Sequence, residues 1–257
     1  MRSASKLIIL SAVAFFSTAF FLAVDVSAQK RTLTRAAVSS GIRDDNLTDI
    51  NRFLETSGLP EIDNEYFFYH GISFATSNLF LIDNPGPNTM WSLDFRFPYS
   101  RRTGSPSSVD LKTYSLYIET KSVQYYEHYV SLHSIVGLGL SSSYLKIDKL
   151  AANNQLYNEF GNKSNLEFSK FTATLNFGGG LDFRIPLKPE KNNKISLLLG
   201  FSVRYAIPLA AFGIYERSWQ IENRPTDLIP EYSDTGIAIE FNIGIEIHKY
   251  EPEKEEE

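Results

Sequence analysis

The chain has 257 residues, 14% of them aromatic, no cysteine, and a formal net charge of −5. The missing cysteine excludes a disulfide framework, a lipid-modified amino-terminal cysteine, a thiol nucleophile and thiolate metal ligation, and nothing resembles the basic stripe that a nucleic-acid partner demands. Aromatic content and repeated period-two segments predict an all-β protein of one domain.

At the amino end, Arg2 and Lys6 precede an apolar run from Leu7 to Val24, which the small residues Ser27 and Ala28 follow. Residues 1–28 read as a secretory signal peptide; the loss of two basic residues and Asp25 takes the charge from −5 to −6. Residues 29–64 read as a periplasmic segment ahead of the barrel, polar and irregular apart from one short helix. In DDNLTDINRFLETSGLP, Leu47, Ile50 and Leu54 recur at helical spacing, Asn46 is the expected N-cap, and Gly58 with Pro60 stops the helix.

From Tyr66 the period becomes two. The first run is YFFYHGISFATSNLFLI. In MWSLDFRFPYS, Trp91, Leu93, Phe95, Phe97 and Tyr99 share a face opposite Ser92, Asp94 and Arg96. KTYSLYIET sets Tyr114, Leu116 and Ile118 against Ser115, Tyr117 and Glu119, and EHYVSLHSIVGLGL sets Val130, Leu132, Val136, Leu138 and Leu140 against Ser131, His133, Gly137 and Gly139. FTATLNFGGGLDFRI alternates Phe171 through Ile185 with a face holding Thr172, Asn176, Asp182 and Arg184. ISLLLGFSVRYAI alternates Ile195 through Ile207 with Ser196, Gly200, Ser202 and Arg204. The last run, Ile237 to Ile247, opposes six large apolar residues to Ala238, Glu240, Asn242, Gly244 and Glu246, and an acidic tail over 251–257 follows it.

Seven runs are clear. The joins Asp83–Thr89, Lys121–Gln124 and Lys188–Lys194 read as short turns, whereas Ser141–Lys170 and Leu209–Thr235 read as long polar loops, the asymmetry of outer-membrane barrels. Both chain ends on one side require an even number, so eight strands are expected over 65–250, with ten the alternative. The missing strand is sought in the first run or in FGIYERSWQIE.

Alternation alone does not say which face meets lipid. A solvent-facing strand surface favours Thr, Lys and Arg, since glycine in a strand packs nothing; here the polar face carries Gly137, Gly139, Gly178, Gly180, Gly200 and Gly244. Small residues suit a cramped lumen, so the apolar face is read as outward. Asp94, Arg96, Glu119, Asp182, Arg184, Arg204, Glu240 and Glu246 are the lumen-facing polar candidates, expected to pair inside an interior filled by its own side chains. Aromatic residues near segment ends, among them Tyr66 to Tyr69, Tyr129 and Phe183, are read as interfacial girdles.

The stretches LTDINRFLETSGLPEI, followed directly by an aromatic strand, and YYEHYVSLHSIVGLGLSSSYLKI resemble the outer-membrane β-barrel proteins of Bacteroidota, small porin-like barrels with a preceding short helix. The resemblance implies an exported barrel of eight to ten strands and carries over no catalytic residue.

No Walker-type loop, nucleophile elbow or metal-spacing motif occurs, and no cofactor is expected. His133 and Ser134, adjacent on a strand, face opposite sides and cannot act as base and nucleophile; His70, His128 and His248 sit near predicted strand ends. The expectation is an integral outer-membrane barrel with a structural or interaction role. A narrow channel for small solutes is the alternative, and a lipid-modifying enzyme comes third. The partners expected are outer-membrane lipids, the barrel assembly machinery during biogenesis, and a periplasmic protein docked by the helix and the tail.

Overall fold

In the computed structural model, the residues described are 31–44, 47–62, 66–77, 89–98, 101–104, 107–126, 129–189, 193–212, 218–222, 224–230, 232 and 236–250. Residues 1–28, read as a signal peptide, all of the predicted Asp83–Thr89 join but Thr89, and the 251–257 tail lie outside them. Strands β1 (Arg31–Asp44), β2 (Tyr66–Thr76), β3 (Thr89–Pro98), β5 (Ser108–Tyr126), β6 (Val130–Asp148), β7 (Leu166–Pro189), β8 (Asn193–Pro208) and β11 (Gly236–Tyr250) pair antiparallel in that order, and β11 returns to β1, closing an eight-stranded barrel. Three short strands lie beside the ring: β4 (Arg101–Thr103) on β5, and β9 (Trp219–Ile221), hairpinned to β10 (Arg224–Thr226), on β7. Among the described residues the α-helices are α1 (Thr48–Thr56) and α2 (Gln155–Glu159).

The eighth strand lies in neither place where the sequence suggested it. It is β1, inside the stretch read as a periplasmic segment, paired from Arg31↔Tyr250 to Arg43↔Ala238 on one side and with β2 on the other. Its outward residues alternate small or polar Thr34, Ala36 and Ser40 with apolar Val38 and Ile42, so the apolar alternation is too broken to announce it. FGIYERSWQIE does hold a strand, β9, but it belongs to the side hairpin.

Placing β1 moves the helix. The ends of β2, β5 and β7 join the next strands through 77–88, 127–129 and 190–192, at the end of the barrel where Arg31 and Tyr250 also lie. The connections from β1 to β2, β3 to β5, β6 to β7 and β8 to β11 leave from the opposite, loop-rich end, and α1 is part of the first of these. Short turns such as 127–129 and 190–192 are the periplasmic feature of outer-membrane barrels, which assigns α1, at the opposite end, to the outer side. Its N-cap is Leu47, with no side-chain hydrogen bond; Leu47 is buried instead, and Asn46 lies outside the described residues. Gly58, at φ +68°, ends the helix in the left-handed conformation that glycine adopts without strain.

Several strands outrun their expected limits. β5 continues through Lys121–Gln124, the predicted turn, and β6 and β7 extend to Asp148 and back to Leu166 inside the predicted loop. At 19, 19 and 24 residues these strands exceed the roughly 9 to 11 that cross a bilayer. Their surplus projects beyond the membrane on the loop side, where Val109, Leu111, Leu145, Ile147, Leu166 and Phe168 point inward and are buried. Onto this apolar rim fold Leu47, Ile50 and Leu54 of α1, Leu156 of α2, and Trp219, Ile229 and Tyr232 of the last loop. The result is an apolar cap over the outer mouth.

Candidate functional site

Below the cap the strands present large apolar side chains outward: Val38, Phe68, Ile72, Phe95, Ile118, Leu138, Phe183, Leu199, Phe241 and Ile243 are all exposed. In water such a continuous apolar surface would drive aggregation; around a barrel of membrane height it is the lipid-facing belt.

The inward face holds the charges. Asp94, Arg96, Glu119, Asp182, Arg184, Arg204, Glu240 and Glu246 are between 0% and 5% exposed. They fall into two groups at different depths. Toward the periplasm, Arg35 of β1 reaches Asp182 of β7 at 2.9 Å and Glu246 of β11 at 2.6 Å. Since β1 and β7 are not neighbours in the ring, the first contact crosses the lumen. Arg184 also donates to Glu246, His248 Nε2 lies 2.6 Å from the same carboxylate, and His133 Nδ1 lies 3.3 Å from Asp182.

Closer to the cap, Arg204 of β8 is the hub. It meets Asp94 at 3.0 Å, Glu119 at 3.1 Å and Glu240 at 2.7 Å, on β3, β5 and β11. Lys121 Nζ lies 3.9 Å from Asp94. Arg96 lies 3.2 Å from Glu240 and is held between the rings of Tyr69 and Tyr117, whose centroids are 4.7 and 4.2 Å from its guanidinium carbon. Tyr69, read from sequence as part of a girdle, therefore points inward, with its hydroxyl donating to Glu240 at 3.2 Å; Phe67 beside it turns into the cap. Tyr129 and Phe183 are exposed on the outside.

Counted over these residues, Arg96, Lys121 and Arg204 balance Asp94, Glu119 and Glu240, and Arg35 and Arg184 balance Asp182 and Glu246. Balance within each group matters because an unpaired charge in this environment costs several kcal/mol. Above them comes a hydroxyl layer: Thr113 with Ser143 at 3.0 Å and Ser115 with Ser141 at 3.0 Å. The interior thus grades from ions through hydroxyls to the apolar cap.

Glycine makes room for the long charged side chains. A Cβ on Gly180 would sit 2.6 Å from His133 Nε2, and one on Gly200 would sit 2.7 Å from Asp182 Oδ1. The small-residue face noticed in the sequence is the clearance these groups need. Sequence reasoning missed Arg35, the partner that links Asp182 with Glu246, because it lies on β1. The signal available was Arg35, Ala37, Ser39 and Gly41 at alternate positions, the same small-and-charged face as on other strands.

Of the histidines, His133 and His248 serve the ion pairs, and His128 lies outside the described residues. Ser134 donates toward the Ser122 carbonyl, away from His133. His70 faces outward against Ser40.

A closed antiparallel barrel with an apolar belt outside and ion-paired polar residues inside is the architecture by which strands cross a bilayer, and the chain is an integral outer-membrane β-barrel of Gram-negative type. No family model and no curated protein matches it. Among solved structures it is similar to Ail, the attachment invasion locus protein of Yersinia pestis, crystallised with the heparin analogue sucrose octasulfate (12% identity, TM-score 0.40, 86% of this chain and 99% of that one). It is also similar to a major outer-membrane protein of Thermus thermophilus (10% identity, TM-score 0.42, 84% and 98%) and to Neisserial surface protein A (11%, 0.36, 86% and 97%). At these values the membrane assignment rests on the chain's own surface.

Proposed function

We propose that the barrel serves as a closed anchor that displays its capped outer end for structural or interaction purposes, and that it does not conduct solutes. The observation that supports this reading is the pair of charge-balanced layers spanning the lumen, with Arg204 bonded to three strands besides its own. A conduit needs a continuous aqueous path, and in an eight-stranded barrel the side chains fill the interior. Lipids of the outer membrane and the assembly machinery remain the proposed partners. With α1 assigned to the outer end, its place in the cap supports a structural role rather than periplasmic docking.

The test is single-channel recording in planar bilayers. Protein showing heat-modifiable migration, and hence folded, should give no steps above baseline. Disrupting the hub by Arg204→Ala together with Glu240→Ala should introduce them. Regular conductance steps from the unaltered protein would favour the narrow-channel reading instead.

A further inference from the structure

A small side chain between two large ones leaves a groove on the lipid-facing wall where β11, β1 and β2 run side by side. Ser40 is flanked by Phe241 on one strand and His70 on the other. With Ile42, Phe68 and Ile239 these residues line a depression of about 430 Å3. Its surface is apolar except for one feature: Ser40 Oγ lies 2.8 Å from His70 Nδ1, and both side chains are exposed.

This pair stands inside the belt, next to exposed Val38, Ile72 and Phe68. A polar group facing hydrocarbon is costly unless bonded. The pair satisfies itself in part, but a serine hydroxyl can donate once and accept twice, so Ser40 retains capacity beyond the bond to His70.

Depth narrows what could use that capacity. Asp44 lies four residues further along β1, on the same outward face at the loop end. At about 3.3 Å per residue and a tilt of about 45°, the pair lies about 9 Å deeper along the membrane normal. The polar interface occupies only about 5 to 7 Å on each side, so Ser40 and His70 meet lipid slightly below the level of the first acyl carbonyls. Glycerophospholipid chains carry no oxygen there. A chain with an oxygen on its third carbon does.

We propose that this groove seats an acyl chain of an outer-leaflet lipid bearing a 3-hydroxy or 3-acyloxy group, the chemistry of lipid A, with that oxygen hydrogen-bonded by the Ser40–His70 pair. Ile42, Phe68, Ile239 and Phe241 hold the hydrocarbon. The site binds and does not cleave: β1 is paired on both sides at this row, so its backbone N–H groups are committed to the ladder and are not available to a developing oxyanion.

The full chain would be folded into phosphatidylethanolamine vesicles doped with lipid A, re-extracted in mild detergent, and examined by native mass spectrometry for retained lipid. The unaltered protein should retain lipid A over phosphatidylethanolamine by about tenfold relative to the vesicle composition, and Ser40→Val should lower retained lipid A about tenfold. Valine suits a lipid-facing strand position, so the barrel should persist. Ile239→Trp, which fills the groove from its far side and leaves the pair intact, should do the same, with heat-modifiable migration separating a lost seat from a lost fold. Retention of lipid A by both folded variants at the unaltered level, or a preference of the unaltered protein for phosphatidylethanolamine, would overturn the proposal.

Discussion

On β5, Glu119 points inward to Arg204 while its neighbour Ile118 is exposed on the outside; ten residues earlier Val109 is buried inside and Asp110 carries the charge. β6 makes the same exchange between Leu138 and Ile147, and β7 between Phe168 and Leu175. The strands stay paired in continuous register between these points, so no bulge turns the side chains over. What changes is the solvent outside. Within the bilayer the apolar residues belong outward and the interior is left to ion pairs, because charge cannot face lipid. Beyond it, water takes the charged face, and the interior condenses by the ordinary hydrophobic effect. One chain thus holds two cores of opposite chemistry on one strand face.

The comparison is broken most severely by removing a shared acceptor. Glu246→Ala leaves Arg35, Arg184 and His248 without the carboxylate they share and should destabilise the barrel by about 3 to 5 kcal/mol. A shift of the denaturant midpoint of the detergent-folded protein measures it. A stability equal to the unaltered protein's would mean that the periplasmic-side ion group does not hold the barrel.

Leu54 is the counterpart in the cap, fully buried among Ile50, Leu59 and Ile62. Leu54→Ala should cost about 2 to 5 kcal/mol in local stability, yet the membrane portion should stay folded. The expected readout is faster cleavage of residues 149–165 by protease added outside, with heat-modifiable migration unchanged. Loss of both together would show that the two cores fold as one unit.

The belt gives a somewhat smaller, sharper contrast. Ile243→Arg should cost about 2 to 4 kcal/mol near the bilayer midplane and reduce membrane insertion in a pulse-labelled assembly assay. Lys146, which already faces outward beside Asp148 at the cap level, should accept Lys146→Glu with normal insertion.

These contrasts also account for what could be read from sequence. All eight lumen residues named from alternation lie on the buried face, because the lipid-facing signal on β3, β6, β7, β8 and β11 is strong and uninterrupted for a membrane height. The reading stopped at Ser141 and resumed at Lys170, where the apolar phase changes from even to odd positions or back, and a change of phase looks like the end of a strand. Continuing the alternation with its sign reversed would have extended β5, β6 and β7 into the cap. β1 is illegible for a different reason: Thr34, Ala36 and Ser40 dilute Val38 and Ile42 on its outward face, and a helical pattern follows it closely. From that error came the periplasmic placement of α1. The contacts that build the cap join α1, α2 and the last loop across long sequence separations, and no local pattern encodes them.

The smallest effect is expected outside both cores. Lys163, in the connection from β6 to β7, pairs with Glu222 at the tip of the β9–β10 hairpin, and both side chains are well exposed. The hydrogen bond and the nearby charge of the Lys163 ammonium hold the Glu222 carboxyl below the ordinary carboxylate range. A carboxyl with a lowered folded-state pKa contributes stability above its unfolded value and loses it as pH falls through the folded one, so any contribution here vanishes on acidification. Water and salt screen so exposed a pair. Lys163→Ala should therefore raise the Glu222 pKa in a carboxyl NMR titration while leaving the unfolding midpoint at neutral pH where it was. A marked fall in that midpoint would mean that the loops are tied down by surface charge, and the apolar cap would lose its place as the outer core.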